Sequence, residues 1–173
     1  ANAGAIKVEA PSSIILKGTV NNTGKILDYN TTGTGYSDGI ITDAATFTGK
    51  GNINLYNGTM GASWFNNVDN TIQGTGKLDG HFYNQAAGKI LADNVFAATG
   101  TDLTIGGWTG GQSSGWSVIT FPSISVPYTF DWTRGNKNLG LIGANSNSIL
   151  KIDAAIDNTS GTIKTIGSGS EVD

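Results

Sequence analysis

The residues of this chain best suited to ligand binding are aromatic and lie in one segment. Exposed flat rings stack on the faces of sugars, and nearby polar groups fix the orientation of the sugar. The candidates stand among glycines and serines, and they are Trp108, Trp116, Tyr128, Trp132 and Arg134. Their types predict a glycan-binding surface. The alternative is structural, since aromatic residues between positions 128 and 132 alternate along one strand and would equally cover the face of a core.

Catalysis by paired carboxylates has little support in the sequence. Hydrolysis of a glycosidic bond needs two carboxyl groups placed across a sugar ring. The only glutamates, Glu9 and Glu171, lie near opposite ends of the chain. The aspartates are dispersed, mostly beside Asn, Gly or Thr, where turn capping or solvation accounts for them. We therefore expect a non-enzymatic protein, with a polysaccharide-active enzyme that assembles aspartates from neighbouring strands as an alternative.

Metal ligands are equally sparse. His81 is the only histidine and there is no cysteine, so a multi-histidine or thiolate metal site cannot form, and His81 is expected to face solvent from a strand. Carboxylates and turn carbonyls suit calcium at Asp38 to Asp43 or at Asp69 to Asp79. The chain has neither an EF-hand loop nor a Gly-Gly-x-Gly-x-Asp array. The expectation is no cofactor, with calcium as the one candidate.

Composition restricts the class of protein and its partners. The 173 residues suffice for one core, and charged residues make up only 13% of them. The ten Lys and Arg are scattered singly at a net charge of −3, which argues against a nucleic-acid partner. No apolar run approaches the ~20 residues needed to span a bilayer. The opening ANAGAIKVEA lacks the features of a signal peptide, as expected of a mature protein or an excised fragment.

The stretch from Asn66 to Asp93 shows the periodicity on which a fold prediction depends. Its apolar residues alternate with Gly, Asn, Asp or Lys, and no stretch of the chain has a comparable helical period. Alternation of this kind predicts short strands with one face buried. The chain is therefore expected to be all-β.

Two phrases recur along the chain. A Gly-x-Gly phrase aligns at an offset of 25 residues, with Phe47, Gly49, Gly51 and Ile53 over Ile72, Gly74, Gly76 and Leu78. A second phrase joins an Asn-containing turn to Gly-x-Ile, and its three copies run from Asn22 to Ile26, from Asn84 to Ile90 and from Asn158 to Ile163. Unequal distances between the copies indicate a degenerate repeat that carries insertions.

A period of 20 to 30 residues built from short strands favours a right-handed parallel β-solenoid, or β-helix, in which each coil stacks its apolar side chains on the next. Roughly seven coils at ~4.8 Å each would form a rod about 34 Å long. The alternative architecture is a β-sandwich or jelly roll, whose strands also come with regular turn signals.

The whole chain, 1–173, reads as a single β domain with an interruption. Residues 14–98 and 149–173 share the repeat-like style. Residues 99–140 hold three of the four tryptophans and two of the three prolines. This segment is predicted to be an aromatic insertion, either a decorated coil or a projecting hairpin.

The repeat phrases resemble those of large bacterial secreted proteins, namely autotransporter passengers and filamentous-haemagglutinin-like adhesins. The phrase Asn-Thr-Ile-x-Gly-x-Gly is present at Asn70 to Gly76, and Asn-x-x-Gly-x-Ile at Asn158 to Ile163, with Gly167 to Gly169 as the trailing Gly-Ser-Gly. The likeness covers about half of the chain, because the aromatic segment has no counterpart in those families. The resemblance implies export to the cell surface, a rod-like scaffold and an adhesive or structural use. It carries over no catalytic residue.

The sequence thus predicts an extracellular structural or adhesive building block that associates through terminal or edge strands. The partner would be a second copy or neighbouring repeats of a larger protein, with surface glycans as a further partner. Candidate assembly residues are Ile6 and Val8 near the start, and Ile163 and Ile166 near the end. A carbohydrate-binding adhesin module that uses the aromatic segment is the alternative.

Overall fold

The computed structural model describes residues 1–29, 39–93, 103–106, 117–120, 125–128 and 135–173. Every regular element in these ranges is a β-strand, which confirms the expected all-β class. The described part of the chain contains no helix long and apolar enough to cross a membrane. The strands are β1 (Ala5–Glu9), β2 (Ser13–Asn21), β3 (Lys25–Tyr29), β4 (Gly39–Thr48), β5 (Asn52–Asn67), β6 (Thr71–Asn84), β7 (Lys89–Ala92), β8 (Leu103–Gly106), β9 (Ser117–Thr120), β10 (Ser125–Tyr128), β11 (Asn136–Asn138), β12 (Leu141–Ala144), β13 (Ile149–Asp153), β14 (Ile156–Asp157), β15 (Thr162–Thr165) and β16 (Glu171–Val172).

Parallel pairing dominates the described strands. Fourteen of them form one sheet in which every pair is parallel, while β9 and β10 form a separate antiparallel pair. Sandwiches and jelly rolls are built from antiparallel sheets. The pairing therefore differs from that of the alternative architecture.

The pairs of the large sheet fall into three columns. Column A runs β1, β3, the start of β5, the start of β6, β7, β12 and β15, in chain order. Column B joins the first half of β2 to that of β4 and continues through the middle of β5 and β6 to β8, β13 and β16. Column C joins the last residues of β2, β4, β5 and β6 to β11 and β14. Each column thus keeps the order of the chain.

A line of isoleucines fixes the packing of column A. One isoleucine from each strand is in register with the next, and the line is Ile6, Ile26, Ile53, Ile72, Ile90, Ile142 and Ile163. The five inner members are 0% exposed, whereas the two end members are only partly buried. Stacking β-branched side chains removes apolar area from water at every level, at about 25 cal/mol per Å². The isoleucine line therefore favours this pairing register of the column A strands over shifted registers.

The predicted 25-residue offset is wrong. The structure pairs Ile53 with Ile72 and Met60 with Leu78, at spacings of 19 and 18 residues. The Gly-x-Gly phrase at Gly49 lies before column A, between β4 and β5, whereas the phrase at Gly74 begins on the last column A residue of β6. The two Gly-x-Gly phrases lie at different corners between strands, so aligning one with the other gave a wrong offset. The Asn phrase aligns correctly, because its three isoleucines all belong to the isoleucine line.

Buried asparagines connect column C to column A. In one run Asn67 Nδ2 donates to Asn84 Oδ1 at 2.9 Å, Asn84 Nδ2 to Asn138 Oδ1 at 2.8 Å, and Asn138 Nδ2 to Asn158 Oδ1 at 2.7 Å. The first three of these side chains are fully buried. Buried amides are tolerated only when their polar atoms are paired. We call this run, together with a second run through Asn2, Asn22 and Asn70, the asparagine ladder.

A second run extends the ladder toward the start of the chain. Asn2 Nδ2 donates to Asn22 Oδ1 and Asn22 Nδ2 to Asn70 Oδ1, both at 2.9 Å. The runs meet where Asn67 Nδ2 donates to the carbonyl of Asn70 at 2.9 Å and Asn67 Oδ1 accepts the Asn70 N–H at 3.1 Å. The ladder therefore links levels from one end of column A to the other.

Glycine beside the ladder is a steric requirement. A Cβ on Gly88 would lie 2.4 Å from Asn84 Oδ1, and one on Gly161 would lie 2.4 Å from Asn138 Nδ2. Both distances are far below van der Waals contact, so any larger residue would displace the ladder amide. This close approach explains why the Asn turn of the sequence phrase is followed by Gly before Ile.

Replacing one ladder amide should destabilise the whole fold. Asn22 makes three side-chain hydrogen bonds, accepting from Asn2 and donating to Asn70 Oδ1 and to the Asn52 carbonyl at 3.2 Å. Asn22→Ala would leave buried groups unpaired, at about 1–3 kcal/mol each. We expect the free energy of unfolding, measured by urea titration, to fall by about 3 kcal/mol or more.

The adjacent Asn21 provides the matched control, because its side chain is exposed. Asn21→Ala should change the free energy of unfolding by less than about 0.5 kcal/mol. Equal, small effects in the two variants would show that the ladder contributes nothing to stability.

Candidate functional site

The predicted glycan-binding residues fall mostly outside the described residues. Trp108, Trp116, Trp132 and Arg134 lie in ranges that the structure does not describe. Tyr128 is the last residue of β10, opposite Ser117 of β9. The glycan site in this segment therefore stays a prediction.

The predicted assembly residues lie at opposite ends of column A. Ile6 and Val8 are on β1, the first strand of the column, and Ile163 is on β15, the last. Val8 is 5% exposed, whereas Ile6 and Ile163 are partly buried against the core. Ile166 follows β15 and lies close to Gly143, where an added Cβ would be 3.0 Å from Ile166 Cδ1. The structure thus groups the four residues into two pairs, one at each end.

Both ends of the sheet present an open edge within the described residues. There β1 pairs with β3 alone, β2 with β4 alone, β15 with β12 alone and β16 with β13 alone. An edge strand carries a row of N–H and C=O groups that can pair with another chain. The two edges and the partly buried isoleucines beside them form the candidate assembly site.

Aromatic and charged side chains line the outside of the column near β1. Lys7 forms an ion pair with Glu9, and its Nζ lies 4.8 Å from the centroid of the Tyr29 ring. The Tyr29 and Tyr56 rings are stacked, with centroids 4.0 Å apart and planes 8° from parallel. The hydrogen bond and charge of Glu9 raise the pKa of Lys7. Burial, together with a hydrogen bond to Tyr29, raises the pKa of Tyr56 to about 12.

A groove of about 420 Å³ opens on the outer side of column C, and sequence reasoning missed it. Its lining residues are Trp64, Asn66, His81, Phe82, Tyr83, Gln85, Gly135 and Lys137. Trp64 is in register with His81, and Asn66 with Tyr83. Gln85 Nε2 donates to Asn66 Oδ1 at 3.0 Å, and Lys137 Nζ lies 5.7 Å from the Tyr83 ring centroid. Parallel pairing brings these residues together from distant parts of the chain, which only the strand register could reveal.

The exposure of His81 is lower than the sequence predicted for a solvent-facing strand residue. His81 is half-buried in this groove rather than simply facing solvent. Its neighbour in register, Trp64, covers part of the same outer surface. The groove therefore combines aromatic rings with amides, an ammonium group and an imidazole.

Two aspartates contradict the expectation of turn capping or solvation. Asp28 is 1% exposed and Asp79 is 3% exposed. Asp28 stands between Val8 and Leu55 in register. The missing side chain of Gly58 makes room for it, since a Cβ there would lie 2.2 Å from Asp28 Oδ2. For Asp28 the physical reason is thus a glycine on a neighbouring strand, which a pattern of turn residues does not reveal.

The candidate calcium ligands have protein partners. Asp38 lies outside the described residues, while Asp43 Oδ2 pairs with Lys17 Nζ at 2.7 Å. Asp69 Oδ1 accepts the Lys50 N–H at 3.2 Å, and Asp79 Oδ2 lies 3.2 Å from Lys77 Nζ. No three His, Cys, Asp or Glu side chains converge in the part of the chain that the structure describes.

The stacked tyrosines predict a loss of stability at alkaline pH. Tyr56 has a pKa of about 12 in the fold against 10.0 for a free tyrosine. Between these values the unfolded chain binds fewer protons than the native one, so the free energy of unfolding falls as pH rises. The raised pKa of Lys7 acts in the same direction, since its ion pair is lost when the ammonium deprotonates.

Urea titrations below pH 10 and near pH 12 would measure this loss. Tyr56→Phe removes the ionisable group and should reduce the alkaline loss, while keeping a ring to stack on Tyr29. An identical pH dependence in the variant would show that Tyr56 titrates as it does in the unfolded chain.

No protein-family model, curated protein or solved structure matches this chain. The resemblance to autotransporter passengers and haemagglutinin-like adhesins therefore rests on the repeat phrases alone. The features from which we infer a function are the two open edges of the sheet and the groove.

Proposed function

We propose that the chain is a right-handed parallel β-solenoid that serves as a non-enzymatic building block of an extracellular surface structure. Its copies, or neighbouring repeats of a larger protein, join through the edges of the terminal strands. The observation that carries this proposal is the position of those edges, which continue columns A and B and end on partly buried isoleucines.

The order of the strands supports the solenoid. Successive strands of column A are separated along the chain by segments that supply columns B and C, as when β2 intervenes between β1 and β3. We call one such set of A, B and C strands a rung. Connections between parallel strands of one sheet are right-handed in about 98% of cases. Seven rungs follow from the seven strands of column A.

The arrangement of hydrogen bonds supports a mechanical role. The parallel pairs of all three columns place their backbone hydrogen bonds between successive rungs, so that the backbone of each rung pairs only with its neighbours. The asparagine ladder adds side-chain bonds between rungs. A load applied along such a rod would be shared among these bonds.

The composition supports an extracellular setting. The chain has 26 glycines and charged residues amount to only 13% of it. Hydroxyls and amides therefore supply most of the polar surface, as in many extracellular β-proteins.

Size-exclusion chromatography and negative-stain electron microscopy of the purified chain test the proposal directly. We expect assemblies of regular width. Ile6→Lys and Ile163→Lys should each abolish them, because a lysine at a sheet edge blocks further pairing. Circular dichroism would establish that both variants fold.

Ile149→Lys is the matched control, since Ile149 is 39% exposed and lies away from the isoleucine line. Its assemblies should persist. A wild-type chain that stays monomeric at all concentrations, or assemblies that survive both edge substitutions, would contradict the proposal.

The groove favours a second candidate function, carbohydrate binding. Trp64 and Tyr83 offer flat rings, while Asn66 and Gln85 offer amides that can hydrogen-bond to hydroxyl groups. The volume of about 420 Å³ is within the range of small-ligand sites. None of the five glycan-binding residues that the sequence suggested is among the groove-lining residues that the structure describes.

A glycan microarray followed by titration calorimetry would test this second function. Trp64→Ala should weaken binding of any retained glycan by about tenfold or more, by analogy with nucleobases, whose stacking on aromatic side chains contributes about 1–3 kcal/mol. Trp64→Phe, which keeps a ring, should lose less. Loss of binding in Trp108→Ala or Trp132→Ala, with Trp64→Ala unaffected, would assign the site to the aromatic segment instead.

A further inference from the structure

The asparagine ladder has a direction. Every side-chain bond within it runs from Nδ2 of one asparagine to Oδ1 of an asparagine closer to the end of the chain. The direction is fixed by backbone carbonyls, which can only accept. Asn84 Nδ2, for example, also donates to the carbonyl of Gly88 at 3.2 Å, so the two ends of its amide cannot be exchanged.

A second regularity links the ladder to the isoleucine line. Most ladder amides also donate to the carbonyl of the residue that precedes an isoleucine one rung further on. The pairs are Asn2 with Lys25, Asn22 with Asn52, Asn67 with Lys89, Asn84 with Leu141 and Asn138 with Thr162, at 3.0 to 3.4 Å. Each amide thus fixes the height of the next strand of column A.

The two ends of the ladder are therefore unlike. At one end, within the described ranges, Asn2 Oδ1 accepts only the Gly4 N–H, at 3.1 Å, and a carbonyl oxygen can accept twice. At the other end Asn158 Oδ1 accepts from Asn138, and among the described residues no acceptor meets its Nδ2 group. One end offers an acceptor, and the other offers a donor.

We propose that these ends join head to tail between two copies of the chain. Asn158 Nδ2 of one copy donates to Asn2 Oδ1 and to the Ala5 carbonyl of the next copy, in the pattern that Asn84 and Asn138 show within the chain. Ile163 then stacks on Ile6 of the next copy, and column A continues in register. The proposal rests on the proposed self-association and specifies its polarity and register.

The alternative symmetric contact is disfavoured by the same chemistry. Two copies that met through like ends would oppose donor with donor or acceptor with acceptor. A head-to-tail contact uses two different surfaces, and because it continues column A in the same direction it does not close into a ring but builds a filament.

Asn158→Asp tests the proposed hydrogen bond to the next copy and keeps the bond that Asn158 Oδ1 accepts from Asn138. Its Oδ1 still accepts from Asn138, but the second oxygen would face two acceptors on the next copy. We expect an unchanged melting temperature and an association constant lowered by about tenfold or more, as measured by sedimentation. Asn57→Asp, at an exposed position in the middle of the chain, adds the same charge and should leave association unchanged.

Cysteine cross-linking tests the register. The chain has no cysteine, and Ala5 and Thr162 are both exposed and hold equivalent positions in column A. A mixture of Ala5→Cys and Thr162→Cys chains should form mixed disulfide dimers on mild oxidation, while neither variant alone should do so. Lys7→Cys in place of Ala5→Cys shifts the thiol by two residues, about 6.6 Å, and should reduce the yield.

The outcomes separate the two proposals. Cross-linking between positions 5 and 162 together with weakened association of Asn158→Asp supports the head-to-tail ladder. Assemblies that form normally in Asn158→Asp, or that cross-link only between like ends, would overturn the ladder contact and leave self-association standing. A wild-type chain that never associates would overturn both.

Discussion

A buried primary amide at the corner between columns C and A is the interaction on which the other features depend. An inner ladder asparagine such as Asn84 has two donor hydrogens and one acceptor oxygen, and the corner supplies partners for all of them. The preceding amide donates to the oxygen, while the next amide and the backbone of the next rung accept from the nitrogen. In a low-dielectric setting a fully paired network stabilises one register, whereas a network with one partner missing is strongly destabilising. The isoleucine line follows from this register, because the same amides fix the height of the carbonyl that precedes five of its seven isoleucines. Glycine beside the ladder follows as well, since the amide occupies the space of a Cβ.

The ladder also explains how the chain tolerates a long interruption. Ile90 and Ile142 are adjacent in the isoleucine line although 52 residues separate them, whereas the other neighbours are 18 to 27 residues apart. The Asn84–Asn138 bond that spans this interval is 2.8 Å long, like the other ladder bonds. Closing a longer loop adds little entropy cost, about 0.6 kcal/mol for each doubling of its length. The register is thus set at the corner and not by the number of residues between corners.

Patterns in the sequence predicted the features that depend on residues close together in the chain. Alternation identified an all-β chain, and the Asn phrase located three isoleucines of the buried line. A fourth copy at Asn138, Gly140 and Ile142 carries the same signal, and self-alignment with allowance for insertions would have found it. Contacts set by register across the columns were not predictable in this way. Asp28 is buried because Gly58 lies opposite it, and the groove forms because Trp64, His81 and Tyr83 meet only after the strands pair.

Nuclear magnetic resonance of the isotope-labelled chain would show whether buried side-chain amides fix the pairing of distant strands. We expect slow solvent exchange of the side-chain amide protons of Asn22, Asn84 and Asn138, with cross-peaks between Asn84 and Asn138 across 54 residues of sequence. The exposed Asn21 amide supplies the reference rate. Side-chain exchange as fast as that of Asn21, with no cross-peak between Asn84 and Asn138, would show that the buried amides do not fix the strand pairing.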